Sequence, residues 1–166
     1  MAQVYVSIGS NIRPEQNVRA AVRALRARYR NLSVSPVYRS ESVGFDGDDF
    51  LNLVVGFDTD LEPMALAEEL RELENVQGRV RGGEKYSART LDLDILTYDD
   101  RVLRQGRLVL PRDEITRYAF VLRPLVDLAG ERLHPELGES FASLWARFDA
   151  AGQPMEPVEL DFDAAD

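Results

Sequence analysis

Between residues 32 and 57 the chain carries two strand-like stretches with nothing helical between them, and this limits the available folds more than any other feature. One strand is predicted over Leu32 to Arg39. A second, apolar enough to be central, is predicted over Phe50 to Phe57. The connection, Ser40 to Asp49, holds two glycines and four acidic residues without apolar period, so it reads as a loop. Parallel neighbours need a crossover of a dozen or more residues, usually a helix. A doubly wound parallel sheet therefore fits poorly, and an antiparallel one fits well.

The flanking segments extend this pattern. Val4, Val6 and Ile8 alternate with Tyr5 and Ser7 as a first strand that Gly9-Ser10-Asn11 ends. Pro14 opens a helix with Val18, Val22, Leu25 and Tyr29 at helical spacing, and Pro63 opens another with Leu66, Leu70 and Leu73 on its core face. Gln77 to Ala88 reads as a second, mobile loop with glycines at 78, 82 and 83. A strand through Ile95 and Leu96, a turn at Asp99-Asp100 and a strand over Arg107 to Leu110 follow. Helices are predicted over Ile115 to Leu128 and Ser140 to Phe148. The order β-α-β-β-α-β points to an α+β, ferredoxin-like sandwich: an antiparallel sheet with helices on one face, the other face free for ligands, and extra C-terminal helices. Residues 1–152 are expected to form a single domain, and 153–166 an acidic tail that is either an edge strand or disordered.

The chemistry concentrates in Arg89-Thr90-Leu91-Asp92-Leu93-Asp94. In a strand, Leu91, Leu93 and Ile95 share the core face while Asp92 and Asp94 share the other. Two carboxylates about 7 Å apart on one face repel each other. A divalent cation removes that conflict, and Mg²⁺ commonly binds through one or two carboxylates plus substrate phosphates. Arg79, Arg81, Lys85 and Arg89 crowd the preceding segment. An exposed strand face with surface charges is the plainer reading, but four cations so close favour a metal–polyphosphate site. Arginine suits phosphate through its planar donor fork, and phosphoryl transfer needs chiefly positioning and charge neutralisation. No Walker A pattern is present. Phe50 and Asn52 share a face of the central strand, where an aromatic ring and a carboxamide can stack on a flat heterocycle and bond its edge.

Composition narrows the partners. A net charge of −9 over 166 residues argues against nucleic acid, and a local cluster of cations on an acidic chain suits a small anionic ligand. The absence of cysteine excludes disulfides, thiolate metal sites and cysteine nucleophiles. A single histidine, His134, between Leu133 and Pro135, reads as a loop residue outside any catalytic set. No apolar run is long enough to span a bilayer and the N-terminus has no signal-peptide pattern, so the expected protein has no membrane partner and is cytoplasmic.

The segment Arg79-Val-Arg…Tyr86-Ser-Ala-Arg89-Thr-Leu-Asp92-Leu-Asp94-Ile-Leu closely resembles the signature of the 6-hydroxymethyl-7,8-dihydropterin pyrophosphokinase family. Ile8-Gly-Ser-Asn11, Tyr38-Arg-Ser…Val43-Gly44, Phe50-Leu-Asn52 and Phe120-Val-Leu-Arg-Pro-Leu125 match in the same order, so the resemblance covers roughly residues 2 to 148. It implies a ferredoxin-like fold and transfer of pyrophosphate from ATP to the pterin hydroxymethyl group, with release of AMP, by a monomer of the folate pathway. It implies that Asp92 and Asp94 hold two Mg²⁺ ions bridging the ATP phosphates, that Arg79 and Arg89 contact those phosphates, and that Arg81 lies in the catalytic loop. Asn52 would read the pterin edge, Phe50 and Phe120 would sandwich its ring, and Ser40 and Val43 would give backbone contacts. Glu74, Ile95, Arg112 and Arg117 would lie on the nucleotide side. Two positions depart from the family pattern: Arg112 follows Pro111 where a histidine is usual, and Tyr118 stands where an arginine is usual, with Arg117 one step earlier. These departures leave a second reading, a diverged member that binds pterin or nucleotide with little catalysis or acts on a related pterin. A ferredoxin-like protein-interaction module is a third, weaker reading.

Overall fold

A computed structural model of the chain describes residues 1–41, 49–77 and 91–163. The elements run β1 (Ala2–Ser10), α1 (Pro14–Arg28), β2 (Arg30–Val34), β3 (Val37–Ser40), β4 (Phe50–Thr59), α2 (Pro63–Gln77), β5 (Asp92–Tyr98), β6 (Leu103–Gln105), β7 (Leu108–Leu110), α3 (Ala119–Ala129), α4 (Phe141–Ala146) and β8 (Met155–Val158). The main sheet has the order β5-β1-β4-β3-β8, with β2 also paired to β4, and every pairing is antiparallel. This is the ferredoxin-like α+β arrangement. No described helix is long and apolar enough to cross a membrane.

Strand alternation builds two cores. Val4, Val6 and Ile8 of β1 join Leu53, Val55 and Phe57 of β4 and Leu93 and Ile95 of β5 beneath α1 and α2, where Val18, Val22, Leu25, Leu66 and Leu70 are buried. Each such side chain contributes about 1.5–3 kcal/mol on full burial. On the opposite face Tyr5, Val54 and Leu96 pack against Leu122 and Leu125 of α3 and Phe141 and Leu144 of α4. That face is therefore only partly open to ligands, because the two C-terminal helices cover part of it.

A register shift in the β1–β5 ladder lets one strand serve both cores. Val6 pairs with Ile95 but Tyr5 pairs with Thr97, so Leu96 is the extra residue of a bulge. Before the bulge the odd residues Leu91, Leu93 and Ile95 face α1 and α2; after it Tyr98 does. Asp92 and Asp94 are left on the opposite face from the first core, each half-buried.

Two predicted elements are broken in the structure. The strand expected over Leu32 to Arg39 divides at Ser35-Pro36, because Pro36 has no N–H for the ladder. The Ser35 N–H donates to the Val54 carbonyl (2.9 Å), and the Ser35 hydroxyl accepts from the Val54 N–H (2.9 Å) in place of a backbone carbonyl. The helix expected over Ile115 to Leu128 is a 3₁₀ turn at Asp113–Thr116 followed by α3, with Tyr118 extended between them (φ −124°, ψ 127°). Gln153 holds that break open: its side-chain carbonyl accepts from the Ala119 N–H (2.8 Å) and its amide donates to the Arg117 carbonyl (3.0 Å). The strand expected from Arg107 begins at Leu108 and forms a hairpin with β6. Gly106 takes the positive φ (61°) that this two-residue connection requires. In the tail, β8 pairs with β3 at the sheet edge, and Leu160 and Phe162 pack on the first core.

Gly56 lies directly opposite Tyr5, whose ring covers it; an added Cβ would stand 2.7 Å from a ring carbon. Both neighbours are buried, so the ring has little room to withdraw. Gly56→Ala is expected to lower the unfolding free energy by about 1–3 kcal/mol in urea titration; an unchanged midpoint would show that Tyr5 does not pack there.

Candidate active site

The cross-strand register lines up the polar side chains. Tyr38 pairs with Asn52, Asn52 with Gly9, and Gly9 with Asp92, so one row runs across β3, β4, β1 and β5. Directly paired residues point to the same face, and strands lie about 4.8 Å apart, so Asn52 and Asp92 are separated by about 10 Å with only a glycine between them. The next row places Val54, Ser7 and Asp94 in line. An added Cβ on Gly9 would stand 3.0 Å from Asn52 Oδ1 and 4.0 Å from Phe50 Cδ1. Gly9 thus leaves bare backbone between the carboxamide and the carboxylates.

Asn52 is buried and its amide donates to the buried Ser40 hydroxyl at 2.9 Å. Phe50 is half-buried on the same face. A cavity of about 270 Å³ opens beside them, lined by Ser40, Tyr118, Phe120, Gln153 and Met155 among others. The Phe120 ring stacks on Tyr118, centroids 5.0 Å apart and planes 16° from parallel. Tyr118 therefore gives Phe120 an aromatic neighbour and presents no charge.

A second cavity of about 430 Å³ follows the free edge of β5, between α2 and the β6–β7 hairpin. It is lined by Glu74, Asp92, Asp94 and Ile95 together with Arg71, Arg107 and Arg112. Its volume suits a drug- or cofactor-sized ligand. Glu74 accepts from the Leu93 N–H at 2.7 Å, which blunts the open sheet edge. Burial pushes the Glu74 carboxyl up to about 7, the negative charges of Asp92 and Asp94 add to the rise, and the Leu93 bond and Arg71 oppose it. The Arg112 N–H donates to the Leu96 carbonyl (2.9 Å), its Nη2 lies 3.6 Å from Asp94 Oδ1, and its Nε contacts Glu114.

Of the residues singled out by sequence, Asp92, Asp94, Glu74, Ile95 and Arg112 share the larger cavity, and Ser40 and Phe120 share the smaller. Asn52, buried, and Phe50, half-buried, lie on the same sheet face beside Gly9 and line neither cavity. Arg117 is exposed and lines neither cavity. Val43, Arg79, Arg81 and Arg89 lie outside the described residues. His134 is buried, with Nδ1 accepting from the N–H groups of Glu136 (3.2 Å) and Leu137 (3.1 Å), and burial lowers its pKa. Among the lining or spacing residues that escaped sequence reasoning are Gly9, Arg71, Arg107 and Gln153. Arg71 precedes Glu74 by three residues on α2, a same-face spacing that could have exposed it; Gln153 carries no local signal at all.

Residues 5–130 match the family model for 7,8-dihydro-6-hydroxymethylpterin-pyrophosphokinase (HPPK). The chain belongs to that family. It is 40% identical over 138 residues to the 2-amino-4-hydroxy-6-hydroxymethyldihydropteridine pyrophosphokinase of Pseudomonas aeruginosa, covering 81% of this chain and 85% of that one. The protein of the same name from Methylorubrum extorquens is 36% identical over 166 residues, covering 96% of this chain and all of that one. The crystal structure of Plasmodium falciparum HPPK-DHPS superposes with a TM-score of 0.68 at 12% identity over 88% of this chain, a likeness of fold. This chain spans 44% of that one. Gln153 and β8 lie beyond the stretch that the family model matches.

A carboxyl whose folded pKa exceeds its unfolded value contributes stability that is present below the unfolded pKa and lost as the pH rises through the folded one. For Glu74 that window runs from 4.5 to about 7. Metal-free protein is expected to lose unfolding free energy across this window relative to Glu74→Gln, measured by urea titration at each pH. Parallel curves for the two proteins would contradict the burial of this carboxyl.

Proposed function

We propose that this chain transfers the pyrophosphoryl group of ATP to 6-hydroxymethyl-7,8-dihydropterin, yielding the pterin diphosphate and AMP for folate biosynthesis. The observation that carries the reading is the Asn52–Gly9–Asp92 row: a hydrogen-bonding edge and a carboxylate pair on one sheet face, separated by bare backbone. Family membership supplies the reaction class.

The donor set fits Mg²⁺. Asp92 and Asp94 are half-exposed oxygen donors spaced along one face, and they border a cavity with arginines on its other walls. Magnesium takes few protein carboxylates and fills its remaining positions with water and phosphate oxygens. Asp92 and Asp94 would hold two ions. Bound there, they would neutralise charge on the β- and γ-phosphates and polarise the β-phosphorus.

The chain's own residues then bind and orient. Asn52, fixed by Ser40, reads the edge of the pterin; Phe50 and Phe120 cover its ring faces; Ser40 and Val43 add backbone contacts. The ring so held directs its hydroxymethyl group across Gly9 towards the carboxylate pair. Arg79, Arg89 and Arg112 bind phosphate oxygens with Arg81 as a further catalytic cation, and Glu74 and Ile95 border the nucleotide; Arg117, exposed and outside both cavities, takes no part. The pterin oxygen bonds to the β-phosphorus, the bond from that phosphorus to the α,β-bridging oxygen breaks, AMP departs with that oxygen, and the hydroxyl proton passes to solvent. Alignment of this kind is the main demand of phosphoryl transfer. The working unit is a cytoplasmic monomer.

Purified protein given ATP, Mg²⁺ and 6-hydroxymethyl-7,8-dihydropterin is expected to release AMP. Asp94→Ala should lower kcat by about 100-fold or more, the size of loss typical when a charge-stabilising group is removed, and chelation of the metal should stop the reaction. Both ligands bound with no AMP formed would overturn the proposal.

A further inference from the structure

Arg112 is tied at three points. Its backbone N–H is bonded to β5 through the Leu96 carbonyl, its Nη2 reaches Asp94, and its Nε contacts Glu114. The side chain is 29% exposed, and it shares the cavity wall with Asp94, Asp92, Arg71 and Arg107. Its guanidinium therefore already lies against the carboxylate that a divalent cation would use. Two positive charges on one carboxylate repel each other. A polyphosphate in the cavity offers the guanidinium acceptors of higher charge and matching bidentate geometry. Glu114, contacting Nε and not Nη2, can keep the side chain in the cavity while its far edge changes partner.

We propose that Arg112 is a resident counter-ion of Asp94 and that it transfers to the polyphosphate when nucleotide enters, so that the cation site at Asp94 opens with nucleotide binding. The inference rests on the reading of Asp94 as a metal ligand. It makes Arg112 an antagonist of the metal in the nucleotide-free protein and a ligand of the nucleotide. A purely structural ion pair would not bind the nucleotide.

Two separate titrations test this: Mn²⁺ alone, followed by the electron paramagnetic resonance signal of the free ion, and a non-hydrolysable ATP analogue alone in the presence of chelator, followed by calorimetry. Arg112→Gln is expected to tighten Mn²⁺ binding and to weaken analogue binding, each by about 5-fold or more, the range of ordinary coupling between sites. Arg112→Lys, which keeps the charge without the fork, should fall between the two proteins in both titrations. Asp94→Asn should lose the Mn²⁺ site. Mn²⁺ affinity unchanged or weakened in Arg112→Gln, with Asp94→Asn still losing the site, would overturn the counter-ion role and leave the functional reading standing. Analogue affinity unchanged in Arg112→Gln would overturn the transfer to phosphate. Mn²⁺ bound equally by Asp94→Asn would overturn the assignment of Asp94 itself, and this proposal with it.

Discussion

The register of β1 between β4 and β5 is the constraint on which the rest of the molecule depends. Nine consecutive residues of β1 pair with β4, and that pairing sends Val4, Val6 and Ile8 into the core beneath α1 and α2. The same pairing sets Gly9 between Asn52 and Asp92. A slip of one residue would turn every side chain of the strand to the wrong face, costing the core and the site together. Stability and the candidate chemistry are thus specified by one set of hydrogen bonds, and the bulge at Leu96 lets β5 meet both demands.

Residue pattern carried the architecture a long way. Alternation at Val4 to Ile8, helical spacing at Val18 to Leu25 and at Leu66 to Leu73, and the lack of a helix between the second and third strands sufficed for the antiparallel sandwich. The break at Pro36 is local and the proline itself signals it; the other failures depend on contacts distant in sequence. Nothing local to Arg117-Tyr118 signals that Gln153, more than thirty residues later, caps both sides of the break. In the same way, Gly9 looks like a strand terminator until its two neighbours across the sheet are known. The aspartate pair was readable because strand alternation alone puts Asp92 and Asp94 on one face. The arginines of the second cavity were not, since Arg71 and Arg107 come from a helix and a hairpin that meet only in three dimensions.

The two departures from the family pattern have different physical consequences. At Tyr118 a ring replaces the usual cation and stacks on Phe120, so the smaller cavity gains an aromatic wall. At Arg112 a permanent charge replaces a titratable imidazole and pairs with Asp94. Positive charge is thus lost at one position and held at another, on the wall nearer the carboxylate pair. The C-terminal segment contributes to the same economy of parts, since Gln153 fixes the start of α3 and lines the smaller cavity beside Ser40.

The central claim is that one sheet face holds the heterocycle at Asn52 and the metal-bound polyphosphate at Asp92 and Asp94, on either side of Gly9. A crystal structure of the protein with 6-hydroxymethyl-7,8-dihydropterin, a non-hydrolysable ATP analogue and Mg²⁺ tests it most directly. The account predicts the pterin edge bonded to Asn52, its hydroxymethyl group over Gly9, and metal density between the phosphates and the two aspartates. A pterin bound away from Asn52, or phosphates and metal away from Asp92 and Asp94, would contradict it.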